Sequence, residues 1–423
     1  MREDWTKIEL GALLDYVQPT NYIIKITNYN DSYKIPVLTP GKTFIKGYTN
    51  ETKGIFSELP VIIFDDFTTA SKYVNFKFKV KSSAMKILVP TSDYVNVKLT
   101  YYFMQVLQEI NNTHKRYWIS IYSKKLIPIA PLPEQRAIVS KIDQLFSELD
   151  NGIANLKAAK DKLEIYRQAV LKKAFEGGFI EKSKRSKDNW KKVKVKELGI
   201  ISTGTTPSKK NKNYYLSRDF PFYKPTDLNA GKNVNTSIDA LSEFGIKACR
   251  YVPPNSILVT CIGATIGKTG LIKNGGGFNQ QINAIAPFEK YNPEFIYYQA
   301  ISFQFQEQIK NNASATTLPI LNKGKFLNLE MIICSKEEQH QIVQEIETRL
   351  SVCDNLLTTI EYSLEKSEAL RQSILKQAFE GRLLSEKELD TCKQQPDWEP
   401  AEELLKRIKN ENKQKKSKEK PKA

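Results

Sequence analysis

The strongest constraint on the fold is that this chain writes one long stretch twice. Residues 134–180 align without a gap with residues 338–384, an offset of 338 − 134 = 204. Eighteen of the forty-seven pairs are identical, including RQ, LK and the closing AFEG at 174–177 and 378–381. Two unrelated amphipathic helices would share a period but not identical residues at identical offsets, so the chain is an internal duplication.

Both copies carry helix periodicity. In the first, Ile142, Leu149, Leu156, Leu163 and Val170 recur every seven residues, and Ile138, Leu145, Gly152, Ala159 and Tyr166 fill the intervening position. This is a coiled-coil heptad held over about four repeats. The matching seam of the second copy is Ile346, Cys353, Ile360, Ser367 and Ile374 with Ile342, Leu356 and Leu370, while Val343, Leu350, Leu357 and Leu364 form a neighbouring stripe, so the second helix is expected to be buried on a wider face. Helix–helix packing is therefore expected at Ile142, Leu149, Leu156, Leu163, Val170, Ile346, Leu356, Ile360, Leu370 and Ile374. Each helix opens on a start signal, PLPEQ at 131–135 and SKEEQ at 335–339, with acidic residues at the positive end of the dipole. Each ends at Gly177 or Gly381, a residue type that tolerates the left-handed conformation past a helix terminus. About 45 residues rising about 1.5 Å each make a rod of roughly 65 to 70 Å, which must bury its seam against something.

The segments before the rods are of another kind. Residues 1–130 and 188–334 are rich in Tyr, Phe, Ile, Val, Asn and Gly, with short apolar runs such as PVIIFDDF and SILVTCIG between turn residues. They read as mainly β domains. Both open alike, WTKIELG from Trp5 and WKKVKVKELG from Trp190, yet little further sequence is shared before each helix. The expected organisation is a first domain (1–130), a helix (131–180), a linker (181–187), a second domain (188–334), a second helix (335–384) and a C-terminal segment (385–423). That segment holds one short helix candidate, PAEELLKRIKN, and a basic tail expected to be disordered. The fold class is α+β, two mainly β domains alternating with two long helices in an antiparallel coiled coil, with internal pseudo-two-fold duplication.

Charge narrows the partners. Sixty-four Lys and Arg against 47 Asp and Glu leave +17, which favours a polyanion such as nucleic acid or an anionic membrane surface, the plainer alternative being a solvated basic face with a basic tail. No run approaches the roughly 20 apolar residues of a membrane span, and MREDWTKIEL lacks a secretory hydrophobic region, so a cytoplasmic protein without membrane partners is expected. The five cysteines have no paired spacing, which argues against a disulfide framework or a zinc module. Only His114 and His340 exist, leaving little for His-dependent hydrolysis or a His-rich metal centre.

Catalytic motifs are missing. GATIGKT at 263–269 is one residue short of a phosphate-binding loop and is followed by no amphipathic helix, so it reads as a glycine-rich turn between strands. No amino-methylation loop, cofactor turn or helicase box is present; VPPN at 252–255 lacks the aromatic residue. Asp65 and Asp66 read as a strand-end turn rather than a metal pair. No catalytic, cofactor-binding or metal-binding residue is assigned. Material for DNA contact is better. GKTFIKGYTNETKG (41–54) offers Lys42, Lys46, Tyr48, Thr49, Asn50 and Lys53. The second domain offers Thr205, Thr206, Ser208, Lys209, Lys210, Tyr214, Lys224, Thr226, Lys268, Asn279 and Gln280. Lysines supply salt-dependent phosphate contacts, and Asn and Gln can pair with adenine edges.

PLPEQ opening a long helix, the repeated AFEG, the domain–rod duplication, GATIGK followed by NQQINAI, and the late DWEPAEELLKRIK together resemble the specificity subunit of type I restriction-modification systems, across essentially the whole chain. The resemblance implies two target-recognition domains, each reading one half of a split, non-palindromic double-stranded DNA site, and two antiparallel helices that set their separation. It implies no catalysis by this chain. It further implies two copies of an adenine-N6 methyltransferase using S-adenosylmethionine as partners, and a translocating nuclease using ATP and Mg. The first domain lacks the GATIGK and NQQ signatures. Two rival readings are a structural adaptor whose rods form intermolecular coiled coils, and a nucleotide-dependent DNA-processing protein using Gly263 to Thr269.

Overall fold

A computed structural model describes residues 2–41, 43–107, 117–181, 190–314 and 318–418, the last four as backbone only. The chain divides into two units, Met1–Leu156 with Tyr362–Ala423, and Lys157–Glu361. The duplicated segments form two helices of 44 residues, Leu132–Phe175 and Lys336–Phe379, and each rod contributes one half to each unit.

The strands of the first domain are β1 (Thr6–Glu9), β2 (Leu14–Val17), β3 (Ile35–Leu38), β4 (Ile45–Thr49), β5 (Val61–Asp65), β6 (Ser71–Val74), β7 (Lys79–Val80), β8 (Met85–Pro90) and β9 (Leu126–Ile129). Those of the second are β10 (Lys191–Lys194), β11 (Gly199–Thr203), β12 (Phe220–Tyr223), β13 (Asp239–Leu241), β14 (Tyr251–Val252), β15 (Ile257–Thr260), β16 (Thr269–Leu271), β17 (Gly276–Phe278), β18 (Ile282–Pro287) and β19 (Glu330–Ile333). Despite their unlike sequences the two domains share one strand plan. The sheet β2-β8-β5-β6 corresponds to β11-β18-β15-β16, and β4-β3-β7 to β13-β12-β17-β14, with a parallel pair (β3 with β7, β12 with β17) in each. The first and last strands pair antiparallel, Thr6 opposite Ile129 in one domain and Lys191 opposite Ile333 in the other.

Continuous apolar runs mark strands buried on both faces, because successive side chains point to opposite sides. In β5, Ile62 and Phe64 enter one core while Val61 and Ile63 enter another. In β15, Ile257 and Val259 face the core that holds the rods, and Leu258 the other. A helix follows each main sheet, Val97–Val106 capped by Asn96 and Pro293–Ala300 capped by Asn292. Both carry a Tyr-Tyr pair at the same distance from the cap, Tyr101-Tyr102 and Tyr297-Tyr298.

The AFEG endings pack on these helices. Phe379 meets Phe103 edge-on at 5.3 Å in one unit, and Phe175 meets Phe295 at 5.5 Å in the other. Gly177 and Gly381 both take the positive φ that stops the rods (76° and 75°). The rods run antiparallel: in the second unit Lys160 pairs with Glu361 and Arg167 with Asp354, and in the first Arg371 pairs with Asp150. Arg167 and Arg371 occupy equivalent places in the duplicated RQ, as do Asp354 and Asp150 in the duplicated DN.

The seam departs from the expected register in the second rod. Ile346, Ile360 and Ile374 are buried, as are Ile142 and Val170, and Leu149, Leu156 and Leu163 are half-buried. Leu356 and Leu370, however, are 48% and 51% exposed. The neighbouring stripe takes their place, with Val343 and Leu350 buried and Leu357 and Leu364 half-buried. In the first rod Gly152 and Tyr166 are likewise exposed and Ile153 is half-buried. The local periodicity permits two seams one position apart, and in the fold the stripe through Val343, Leu350, Leu357 and Leu364 is the more buried.

The C-terminal segment also differs from expectation. It forms two helices, Glu386–Lys393 and Ala401–Lys418, and the second runs into the basic stretch expected to be disordered, whose last residues, 419–423, lie outside the described ones. Ala401, Leu404 and Ile408 insert into the core of the first domain, and Asn412 Nδ2 donates to the Ala12 carbonyl at 2.8 Å. These contacts supply the burial that a polar tail alone lacks. No helix of the described residues is long and apolar enough to cross a membrane.

Candidate nucleic-acid interface

The glycine-rich turn and the Asp65–Asp66 pair both have structural roles. GATIGK is the turn between β15 and β16, with Gly263 and Gly267 at φ 102° and 87° and no helix following. The amides of Gly263, Ile266, Gly267 and Lys268 donate to the carbonyls of Pro319, Gly263, Thr260 and Thr265, so they are not free to cradle a phosphate. Asp65 accepts from Phe67 N (2.9 Å) and Thr68 Oγ1 (2.7 Å), a strand-end turn, and Asp66 accepts from Trp118 N at 2.8 Å. Among the described residues no group of three or more His, Cys, Asp or Glu could hold a metal ion. Among the described residues the cysteines form no disulfide, and burial pushes the Cys249 thiol up to about 11 and Cys261 up to about 12, which makes both poor nucleophiles.

In the first domain the candidates lie along β4 and the loop after it. Lys46, Asn50 and Lys53 are exposed and Tyr48 is half-buried. Thr49 is 2% exposed and its Oγ1 accepts from Glu51 N at 3.2 Å, so it shapes the loop and cannot reach DNA. The buried Lys79 anchors this loop from below, donating to the Lys53 carbonyl (2.6 Å) and pairing with Glu51 (3.0 Å). Lys42 and His114 lie outside the described residues.

In the second domain three segments converge. Gly204 N donates to the Ile282 carbonyl and Thr205 N to the Phe278 carbonyl, both at 3.0 Å, which holds the loop after β11 against the NQQ turn. A Cβ on Gly204 would stand 2.1 Å from the Asn279 carbonyl oxygen, so only glycine permits this approach. Asn279 itself is buried, with Nδ2 donating to Gln281 Oε1 at 2.9 Å, and is a turn-forming rather than a DNA-facing residue. Gln280 is exposed and its Oε1 accepts from Thr206 Oγ1. Thr205 Oγ1 is taken by Arg250 N at 2.9 Å. Ser208, Lys209 and Lys210 are exposed on the same loop, whereas Tyr214 is half-buried and its carbonyl accepts from Ser242 N. Lys268 donates to Asn229 Oδ1 at 2.7 Å, and Thr226 is exposed on that same 226–233 segment.

Beside the loop lies a groove of about 540 Å³ lined by Thr206, Lys209, Lys212, Tyr215, Leu216, Phe222, Lys224 and Asp239. It unites Thr206 and Lys209 of one loop with Lys224 and adds five residues outside the named candidates, Lys212, Tyr215, Leu216, Phe222 and Asp239. Leu216 is 74% exposed, an unusual place for leucine that composition cannot flag. Three lysines on an open groove suit a polyanion.

Comparison with known proteins identifies the family. Residues 187–366 match the family model "Type I restriction modification DNA specificity domain". The chain is 34% identical over 384 residues to the EcoR124I/EcoR124II specificity subunit of Escherichia coli, covering 86% of this chain and 90% of that one. It is 26% identical to the HindI specificity subunit of Haemophilus influenzae, over 80% and 76% of the two chains. Among solved structures, the HsdS subunit from Thermoanaerobacter tengcongensis has the same fold with a TM-score of 0.53 at 15% identity, covering 90% of this chain and 98% of that one. A chain from work on complex assembly and conformational transition of the type I R-M system reaches 0.69 at 16% identity, over 90% and 99%. With two copies of one strand plan, two antiparallel rods and a relative of this similarity along nearly its whole length, the chain belongs to the specificity subunits of type I restriction-modification systems.

Proposed function

We propose that each domain reads its own half of a bipartite, non-palindromic DNA target separated by a spacer of fixed length. As a type I specificity subunit the chain recognises DNA sequence and is not itself an enzyme; methylation and cleavage belong to other subunits. The observation that carries the bipartite reading is one strand plan used twice with unlike loops: QPTNYIIKITNYNDSYK follows β2, and GTTPSKKNKNYY follows its counterpart β11. A wrong base in either half should cost about 1 to 3 kcal/mol, and spacer bases little. Mapping of methylated adenines in cells with and without this chain tests it. Two unlike half-sites at constant separation are expected; a continuous palindromic motif would overturn the reading.

The duplicated rods offer two similar surfaces, which suits two copies of one partner. That partner is an adenine-N6 methyltransferase using S-adenosylmethionine, to which a translocating subunit using ATP and Mg adds. The native mass of the complex purified from its own cells checks this. One copy of this chain with two of the methyltransferase supports the proposal, whereas a homo-oligomer alone would favour an adaptor role.

A further inference from the structure

One member of the groove is out of character. Asp239 is a carboxylate among Lys209, Lys212 and Lys224, on a surface read above as DNA-facing. Beside phosphate an acidic side chain is repelled, so its place needs another reason. Asp239 pairs with Lys224, and both are more than a third exposed. Its second oxygen takes no hydrogen bond among the described residues. The pair is held from behind. The buried Asp227 accepts from Lys224 N at 2.7 Å and from Ile238 N at 3.0 Å, clamping the two segments that carry the pair. Ser237 Oγ accepts from Phe222 N (3.0 Å) and donates to the Asp239 carbonyl (2.6 Å). Lys224 and Asp239 therefore stand side by side before any DNA arrives, one a donor and one an acceptor.

A G·C pair presents that complement in the major groove, with O6 and N7 of guanine as acceptors and the N4 amino group of cytosine as donor. Lysine suits the first and aspartate the second. Resting on the assignment of this domain as a half-site reader, we propose that Lys224 and Asp239 together read one G·C pair of the half-site recognised by the second domain. Lys224 donates to the guanine and Asp239 accepts from the cytosine amino group. Lys209 and Lys212, which have no clamped acidic neighbour in the groove, serve phosphates instead. Asp227 is a positioning residue that touches no base.

The test uses the full methyltransferase complex, expressed in cells without other adenine methylation and followed by genome-wide mapping of methylated sites. With Asp239→Asn or Lys224→Met, discrimination at a single G·C position of one half-site is expected to fall at least about tenfold, with the other half-site unchanged. Lys224→Arg, which keeps the guanine donor, is expected to retain the motif. An unchanged motif in both Asp239→Asn and Lys224→Met overturns the proposal. So does a uniform loss across all sites in Asp239→Asn, a near-isosteric change at an exposed position, since it signals a phosphate or structural role. The parent reading is judged separately by the wild-type map: a continuous motif sinks it, whereas a bipartite motif with no responsive G·C position sinks only this inference.

Discussion

The indole Nε1 of Trp5 donates to Glu134 Oε2 at 3.0 Å, and the same bond recurs between Trp190 and Glu338 at 3.0 Å. Each ties the first strand of a domain to the first turn of the rod that leaves it. The neighbouring glutamines repeat as well, Gln135 Nε2 donating to the Ala130 carbonyl (2.8 Å) and Gln339 Nε2 to Cys334 (2.9 Å). This explains why EQ opens both rods: the glutamate receives the domain's tryptophan, and the glutamine turns back to satisfy the carbonyl just before the helix.

The two copies of this bond should not be equal in strength. Glu134 is fully buried, with Oε1 unpartnered and Arg2 3.7 Å away, whereas Glu338 also accepts from Ser335 N at 3.0 Å. Trp5→Phe should therefore cost about 2 to 3 kcal/mol, since it leaves the buried Glu134 side chain with Arg2 alone, and Trp190→Phe about 1. Chemical denaturation midpoints of the two variants measure the difference; equal losses would contradict the asymmetry.

A second repeated bond predicts a pH dependence. Tyr102 donates to Asp143 at 2.5 Å and Tyr298 to Glu347 at 3.4 Å, again 204 positions apart on the rods. Burial first, then the Asp143 hydrogen bond, push the Tyr102 hydroxyl well above its ordinary value. A raised folded value means that its stabilisation is complete below about pH 10, where unfolded tyrosine keeps its proton, and is lost as pH rises towards the folded value. Tyr102→Phe should cost about 1 kcal/mol at pH 8. Urea unfolding at pH 11 should show this gap narrowed.

The register of the seam is open to a direct comparison. Ile360→Ala removes a buried side chain and should cost about 2 to 4 kcal/mol, while Leu356→Ala, half exposed, should cost under about 1. Thermal melting of the two variants decides it; equal losses would restore the seam expected from the heptads alone, which holds both residues.

Acid should loosen the docked tail. Hydrogen bonds from Ser385 N and its hydroxyl, then from Lys141, hold the Glu388 carboxyl down to about 2. Because that value is depressed, its stabilisation is present above the ordinary value of about 4.5 and is lost as pH falls towards about 2. The side chain is more than a third exposed, so solvent screening limits Glu388→Gln to under about 1 kcal/mol at pH 7. At pH 3 the melting temperatures of variant and parent should approach one another.

Lys209 and Lys212 should behave as phosphate contacts. Replacing each by alanine in the methyltransferase complex should weaken binding evenly across DNA sequences and reduce the slope of log affinity against log salt by about 1. A change of preferred bases with an unchanged slope would place them at base edges.

The duplication, both rods and their limits, the β character of the domains and the missing catalytic motifs were legible in the sequence alone, because each is a local matter. Heptads, Ser335 before the second rod, Gly177 and Gly381 act on residues within a turn or two. The kinship of the two domains was not legible beyond Trp5 and Trp190, since one strand plan tolerates many apolar fillings. The repeat of Asn96, Tyr101 and Tyr102 in Asn292, Tyr297 and Tyr298 is a further trace of it. Tertiary structure decided that Leu357 and not Leu356 joins the seam, and that Thr49 and Asn279 are buried while Gln280 is exposed. It also set Asp239 beside Lys224. These outcomes depend on contacts between residues far apart in the chain, whose geometry no local pattern encodes.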